Sequence, residues 1–424
     1  MNDFRTLPAS GPFRLENITI PACLLGQAGG LIRHALSVDA ATLSDRPDVP
    51  AIDMGGALVL PCFIDMHTHL DKGHIWPRSP NLAGSFMGAL TTVGADREAN
   101  WSAEDVRSRM DFALRCAYAH GTRAIRTHLD SIAPQDAISW PVFSEMREKW
   151  AGRIALQGAA LAGVDKVDMA GDYARTADIV AEHGGVLGLV TYSVPDLRAQ
   201  LRGFFKLAMN RGLEVDFHAD ETGDPAAATL RMIAETVLEL GYDKPVTVGH
   251  CCALAVQPES EALETLDLVA KAGINIVSLP MCNMYLQDRS PGRTPRWRGV
   301  TLVHEMKARG INVAFASDNT RDPFYAYGDL DMVEVLREAT RIAHLDHSDP
   351  DWPDAFLANP ARACSLDAPS LAPGAPADLV ILRARSWTEA LARPQSDRIV
   401  LRAGRAIDRT LPDYAELDHL MRTP

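Results

Sequence analysis

Eight short apolar runs of strand character recur along this chain, most of them separated by longer segments with helical spacing. They are Leu58–Met66, Ala124–Leu129, Arg153–Leu161, Val186–Val190, Leu213–His218, Val246–His250, Ile274–Leu279 and Ile311–Ser317. In Ala103–His120, Thr176–His183, Asp196–Arg211, Ala226–Leu240, Glu259–Ala272 and Val303–Arg309, apolar residues return at the interval of one helix face. Glycine closes several of these segments, at Gly121, Gly212, Gly241, Gly273 and Gly310. Such alternation requires parallel strands joined by crossover helices, and eight units are what an α/β (β/α)8 TIM-like barrel needs. The barrel is expected over residues 61–364. The flanks carry strand-type stretches such as Phe13–Ile20, Gly30–Leu36, Ala377–Leu382 and Arg398–Ile407. Neither flank has enough apolar surface for a core of its own, so residues 1–60 and 365–424 are expected to pair into one small β-sandwich domain.

The ends of these runs carry the chemistry. Leu58–Met66 leads into His67-Thr-His69, and because side chains alternate faces along a strand, both imidazoles fall on one side. His218, His250 and Asp318 each end another run. Imidazole nitrogens and a carboxylate suit a divalent metal such as zinc or iron(II), and an incomplete protein shell leaves room for water. The C-terminal strand ends are where a barrel places catalytic groups. Glu221, three residues beyond His218, reads as a general acid–base rather than a solvated loop carboxylate. His128, in Arg126-Thr-His-Leu-Asp130, either lines the pocket or backs a ligand.

With 424 residues and 47% hydrophobic content, the chain can bury a large core. Its formal net charge of −13 argues against nucleic acid as a partner, because a phosphate backbone calls for a positive field. The seven cysteines are scattered, with no disulfide framework and no Cys-x-x-Cys pair, and are expected as reduced thiols. No apolar run reaches the ~20 residues of a membrane span, and the N-terminus lacks a leader pattern. The expectation is a cytoplasmic enzyme acting on a small molecule, with no nucleic-acid or membrane partner.

The motifs His67-Thr-His-Leu-Asp71, His218-Ala-Asp-Glu221, Asn283-Met-Tyr-Leu-Gln-Asp-Arg289 and Asp318-Asn-Thr-Arg-Asp-Pro323 resemble the amidohydrolase superfamily, and within it the bacterial cytosine deaminases. The resemblance implies His67, His69, His218 and Asp318 as metal ligands, with Glu221 and His250 handling protons. It also points to a homo-oligomer. Two-metal members bridge their ions with a modified lysine after the fourth strand; Val186–Ser193 offers none, so one ion is expected. Two departures concern the substrate. Leu161-Ala-Gly-Val164 stands where those deaminases carry a glutamine that grips the pyrimidine amide, and Asn319 stands where they have aspartate. The loop Gln287–Arg298 reads as a solvated basic loop or as a lid, with Gln287 supplying polar contacts to the ring. Trp76 and Phe324 offer faces for stacking on an aromatic substrate. The expected activity is mononuclear metal-dependent hydrolytic deamination of a small N-heterocycle, cytosine or a cytosine-like ring. Hydrolysis of a substituted triazine amine or of a cyclic amide is the alternative.

Overall fold

A computed structural model describes residues 4–421. Eight parallel strands form its centre: β1 (Phe63–Thr68), β2 (Thr122–Asp130), β3 (Ala155–Leu161), β4 (Leu187–Thr191), β5 (Val215–Ala219), β6 (Val246–His250), β7 (Asn275–Ser278) and β8 (Val313–Phe315). They pair in two runs, β1-β2-β3 and β4-β5-β6-β7-β8. Isolated parallel bridges Ala159–Val186 and Gly163–Val190 join β3 to β4, and Thr68–Asp318 joins β1 to the chain leaving β8. Both seams are bridged, which gives the eight strands the order of a (β/α)8 barrel.

The helices between strands are ended by the glycines expected to end them. Ala103–His120 starts at Ser102, whose hydroxyl accepts from the Asp105 N–H, and stops at Gly121 with φ 97°. Gly121 is doubly constrained, since a Cβ there would also lie 2.5 Å from a Val380 methyl. Gly212 and Gly241 end the helices Leu197–Arg211 and Thr229–Leu240 in the same left-handed conformation.

Both chain ends contribute to one eight-stranded sheet, in which Leu58–Pro61 pairs with Leu379–Leu382 antiparallel and with Phe13–Pro21 in parallel. It has its own apolar cluster, including Phe13, Ile18, Val59, Leu379 and Ile399. One expectation needs correction here: the run Leu58–Met66 is two strands. The Cys62 N–H donates to the Asp378 carbonyl of the terminal sheet, while the Phe63 N–H donates to Gly121 beside the barrel. Both halves are buried, so the apolar pattern alone does not separate them; the one local mark of the handover is Pro61, which ends the first strand and has no N–H to donate. Among the described residues no helix is long and apolar enough to cross a membrane, and the seven cysteines are free.

A buried ion pair ties the C-terminal segment to the barrel. The Arg398 guanidinium donates to both oxygens of Asp331 at 2.6 and 2.5 Å, and Asp331 also caps the helix Met332–Ala343 through the Val333 N–H. Burial alone would raise the Asp331 carboxyl, but Arg398 and His120 hold it well below the usual carboxylate range. Asp331→Asn should therefore destabilise the protein by about 3 kcal/mol at neutral pH. A depressed folded-state pKa stabilises above the unfolded value and the effect is lost as pH falls through the folded one, so the difference should shrink below roughly pH 4. Urea unfolding midpoints of both proteins, measured from pH 7 downward, check this.

Candidate metal centre and substrate cavity

Five of the predicted residues meet at the C-terminal end of the barrel. His67 is the penultimate residue of β1 and His69 follows the strand, His218 is in β5, His250 ends β6, and Asp318 follows β8. His250 and Asp318 leave their strands at φ 71° and 66°, left-handed values that non-glycine residues adopt rarely and that concentrate at functional sites. Gly249 makes room for the cluster: a Cβ there would lie 2.9 Å from Cε1 of His67.

The donor atoms are crowded together. His67 Nε2 lies 3.1 Å from His218 Nε2, which lies 3.4 Å from His69 Nε2. Asp318 Oδ1 is 3.6 Å from His67 Nε2 and 3.2 Å from His69 Nε2. Two ligands bound tetrahedrally to zinc at about 2.0–2.1 Å sit roughly 3.3 Å apart. The four atoms thus mark edges of the size that a single tetrahedral cation requires. All four residues are buried, and neither Asp318 oxygen has a hydrogen-bond partner. Burial, followed by neighbouring imidazoles, holds His67 and His218 well below their usual pKa; for His69 burial is followed by Lys72. The rings are therefore neutral, the form that ligates. Burial also raises the Asp318 carboxyl to about 7, a shift that a cation among these ligands would reverse. This donor set fits a divalent ion.

His128 lies directly beneath. Its ring centroid is 4.1 Å from that of His67, and its Nε2 is 3.2 Å from Asp216, which Arg126 neutralises from the other side. It belongs to the same group of four imidazoles that can approach a common ion, but it is not among the residues lining the cavity.

On the open side stand the two candidate proton carriers. The amide nitrogen of Asn283 donates to Glu221 Oε1 at 3.2 Å and approaches His250 Nδ1 at 2.9 Å. Using the His250 Nδ1 lone pair in this way leaves the ring proton on Nε2. Burial lowers the His250 pKa to about 3. Burial, then Asp318, raises the Glu221 carboxyl well above its usual range.

The cavity above the cluster has a volume of about 420 Å³. His69, His218, Glu221, His250, Asn319 and Phe324 line it, as expected of the last two. Gln287 instead donates from Nε2 to the Glu221 carbonyl, fixing the backbone of that residue, and it does not line the cavity. Trp76 also lies outside the lining; its backbone N–H donates to the Arg321 carbonyl. The Gln287–Arg298 loop is organised around Asp288, which binds Arg293 and the Arg296 and Trp297 N–H groups. Gly163, where a glutamine is lacking, lines the cavity with the Tyr192 hydroxyl 2.8 Å from the place of its missing Cβ.

Three contributors escaped the sequence reading. Asn283 lay inside a quoted motif without an assigned role. Lys72 sits three residues beyond His69, a lone cation in a strand-end loop. The helix Phe86–Asn100 supplies Phe86, Leu90, Val93 and Arg97 to the cavity wall, a three- and four-residue spacing that marks one helix face. Gly88, Thr91, Thr92 and Gly94 weaken the helix signal of that segment.

An eight-stranded parallel barrel with histidines and aspartate gathered at its C-terminal end defines a class of metal-dependent hydrolases. The chain belongs to the amidohydrolase family: the family model Amidohydro_3 matches residues 103–407. It is 54% identical over 428 aligned positions to pterin deaminase of Rhizobium rhizogenes, covering 98% of both chains. N-isopropylammelide isopropyl amidohydrolase of Pseudomonas sp. is 26% identical, covering 84% of this chain and 87% of that protein. The solved 5-methylcytosine deaminase of Klebsiella pneumoniae, bound to 5-fluorocytosine, has a TM-score of 0.79 at 26% identity, over 94% of this chain and 98% of that one. The protein is thus a hydrolase acting on carbon–nitrogen bonds, a deaminase of a heterocycle with a divalent-metal site.

Metal-free protein titrated with zinc against a chromophoric chelator should saturate at a single equivalent. His69→Ala or Asp318→Ala should weaken that binding by about 100-fold or more. Two tight equivalents would contradict the geometry.

Proposed function

We propose that this chain is a mononuclear metal-dependent deaminase of a pterin, replacing the 2-amino group of a 2-amino-4-oxopteridine with a carbonyl and releasing ammonia. The observation that carries this reading is the 54% identity to a pterin deaminase across 98% of both chains. The cavity of about 420 Å³ supports it, because a fused bicyclic ring fills more of that space than a single pyrimidine.

His67, His69, His218 and Asp318 hold the ion, zinc or iron(II), both of which accept imidazole and carboxylate ligands. When bound, the ion lowers the pKa of water and supplies a hydroxide equivalent at neutral pH. Asp318 accepts the proton of the attacking water. His250, its Nδ1 engaged by Asn283, donates Nε2–H to the water oxygen and orients it. Glu221, steadied by Asn283 at its side chain and by Gln287 at its carbonyl, carries one proton to the ring nitrogen beside the attacked carbon. It then carries the second to the departing amine. Glu221 starts protonated and takes up the second water proton before passing it to the amine; the proton held by Asp318 then restores Glu221, so the ring nitrogen and ammonia together gain the two protons of water. Phe324 and Asn319 contact the ring from the wall. His128 supports the ligands from below.

A second reading keeps the same chemistry on a cytosine-like ring, or on a substituted triazine amine or cyclic amide. The 5-methylcytosine deaminase fold and the N-isopropylammelide hydrolase relative favour it.

Zinc-loaded protein should release ammonia saturably from pterin, with pterin favoured over cytosine, 5-methylcytosine and N-isopropylammelide. Glu221→Gln should lose about 1,000-fold in kcat. Faster turnover of a pyrimidine or a triazine would replace the pterin reading with the second one. Asn283→Leu should lower kcat by about 30-fold while zinc stoichiometry stays unchanged, as loss of a group that positions two proton carriers requires.

A further inference from the structure

Beside the histidine cluster the cavity wall holds an ion pair that the proposed chemistry does not use. Lys72 and Asp130 both line the cavity, and the Lys72 ammonium lies 3.0 Å from Asp130 Oδ1 with only 5% of its side chain exposed. Asp130 is held in place independently. Its Oδ2 accepts from Arg97 at 2.8 Å, and its backbone N–H donates to Asp71, which also accepts from Ser139. The ammonium stands 5.5 Å from the ring centroid of Phe324, another wall residue.

A buried ion pair costs desolvation, and a hydrophobic pair of the same size often serves stability as well. What the pair adds is hydrogen-bonding capacity. An ammonium has three donors, and each carboxylate oxygen has two acceptor sites. Lys72 uses one donor on Asp130, and each Asp130 oxygen has one charged partner. Among the described residues the two heads have no further side-chain partner at the wall, so donor and acceptor capacity sit side by side there. The chemical group that matches them is a cyclic amide edge, whose carbonyl accepts while the adjacent N–H donates.

We infer that Lys72 and Asp130 form the specificity element for the substrate ring, Lys72 donating to the ring carbonyl oxygen and Asp130 accepting from the neighbouring ring N–H. The inference rests on the pterin reading for the identity of the ring: the 4-oxo group and N3–H supply that edge, leaving the 2-amino carbon for attack. A ring with the edge inverted, such as 2,4-diaminopteridine, meets donor with donor and acceptor with acceptor. A site built to hydrogen-bond a substrate rejects analogues that leave its buried polar groups unpaired.

The test is equilibrium binding to the zinc-loaded protein carrying Glu221→Gln, which prevents turnover, by calorimetry with pterin and 2,4-diaminopteridine. Pterin should bind at least about 30-fold more tightly, and adding Lys72→Met should collapse that preference to under about threefold. Asp130→Asn, which removes the carboxylate acceptor but keeps the shape, is measured in the same way and should also erase it. The ratio of two ligands within one preparation does not depend on the fraction folded. An unchanged preference in both variants, or no binding of either pteridine, overturns the inference. Ammonia release from pterin by the native holoenzyme is read separately. If it is absent while the binding preference depends on Lys72 and Asp130, the deaminase reading fails and the specificity element stands.

Discussion

Three imidazole nitrogens and a carboxylate oxygen, brought by β1, β5 and the end of β8, converge within 3.1 to 3.6 Å of one another along the measured edges. Among the described residues the imidazole nitrogens have hydrogen-bond contacts only with one another, and the carboxylate accepts from no donor. Three neutral nitrogens pointing at one place cannot all be paired with one another, and the buried oxygens of Asp318 have no hydrogen-bond partner among the described residues. A divalent cation resolves all of these at once, and much of the neighbouring architecture provides for it. Left-handed backbone at His250 and Asp318 and the missing side chain of Gly249 keep the rings where they meet.

Around that cluster the protein divides its polar groups by task. Asn283 spends its amide hydrogens on Glu221 and His250, so one side chain holds both the carboxyl and the imidazole. Gln287 holds the same glutamate from its backbone side. Across the cavity, Lys72 is charged against the cost of burial because Asp130, Asp71 and Asp322 surround it. The apolar face of Phe86–Asn100 and the ring of Phe324 complete the wall, edge-on to each other at 5.6 Å between Phe86 and Phe324.

Much of this was legible in the chain because its cause is local. The period of apolar residues gave the strands and several helices, and the glycines after them gave their ends, since only glycine adopts the left-handed cap without penalty. The residues of the histidine–aspartate cluster were visible because each sits at or near a strand end, and barrel topology sends all strand ends to one face. The division of Leu58–Met66 was masked, because both strands are buried and the apolar character runs on past Pro61, the one residue that marks the break. The helix Phe86–Asn100 was also missed. Its apolar stripe faces a cavity, and glycine and threonine dilute the pattern.

Roles that depend on partners distant in sequence had no local signature. Gln287 and Trp76 looked equally suited to touch a substrate, yet Gln287 serves the Glu221 backbone and Trp76 joins Arg321, both outside the cavity lining. The partnership of Lys72 with Asp130 spans two strand-end loops, and that of Asn283 with Glu221 and His250 spans three elements. The sequence by itself determined the barrel, the terminal sheet strands and the donor types gathered at the strand ends, because periodicity and strand-end residue types are properties of short segments. Only the tertiary structure decided which polar groups face the cavity and in what pairs, because hydrogen bonds and ion pairs depend on ångström distances between residues that the chain keeps far apart.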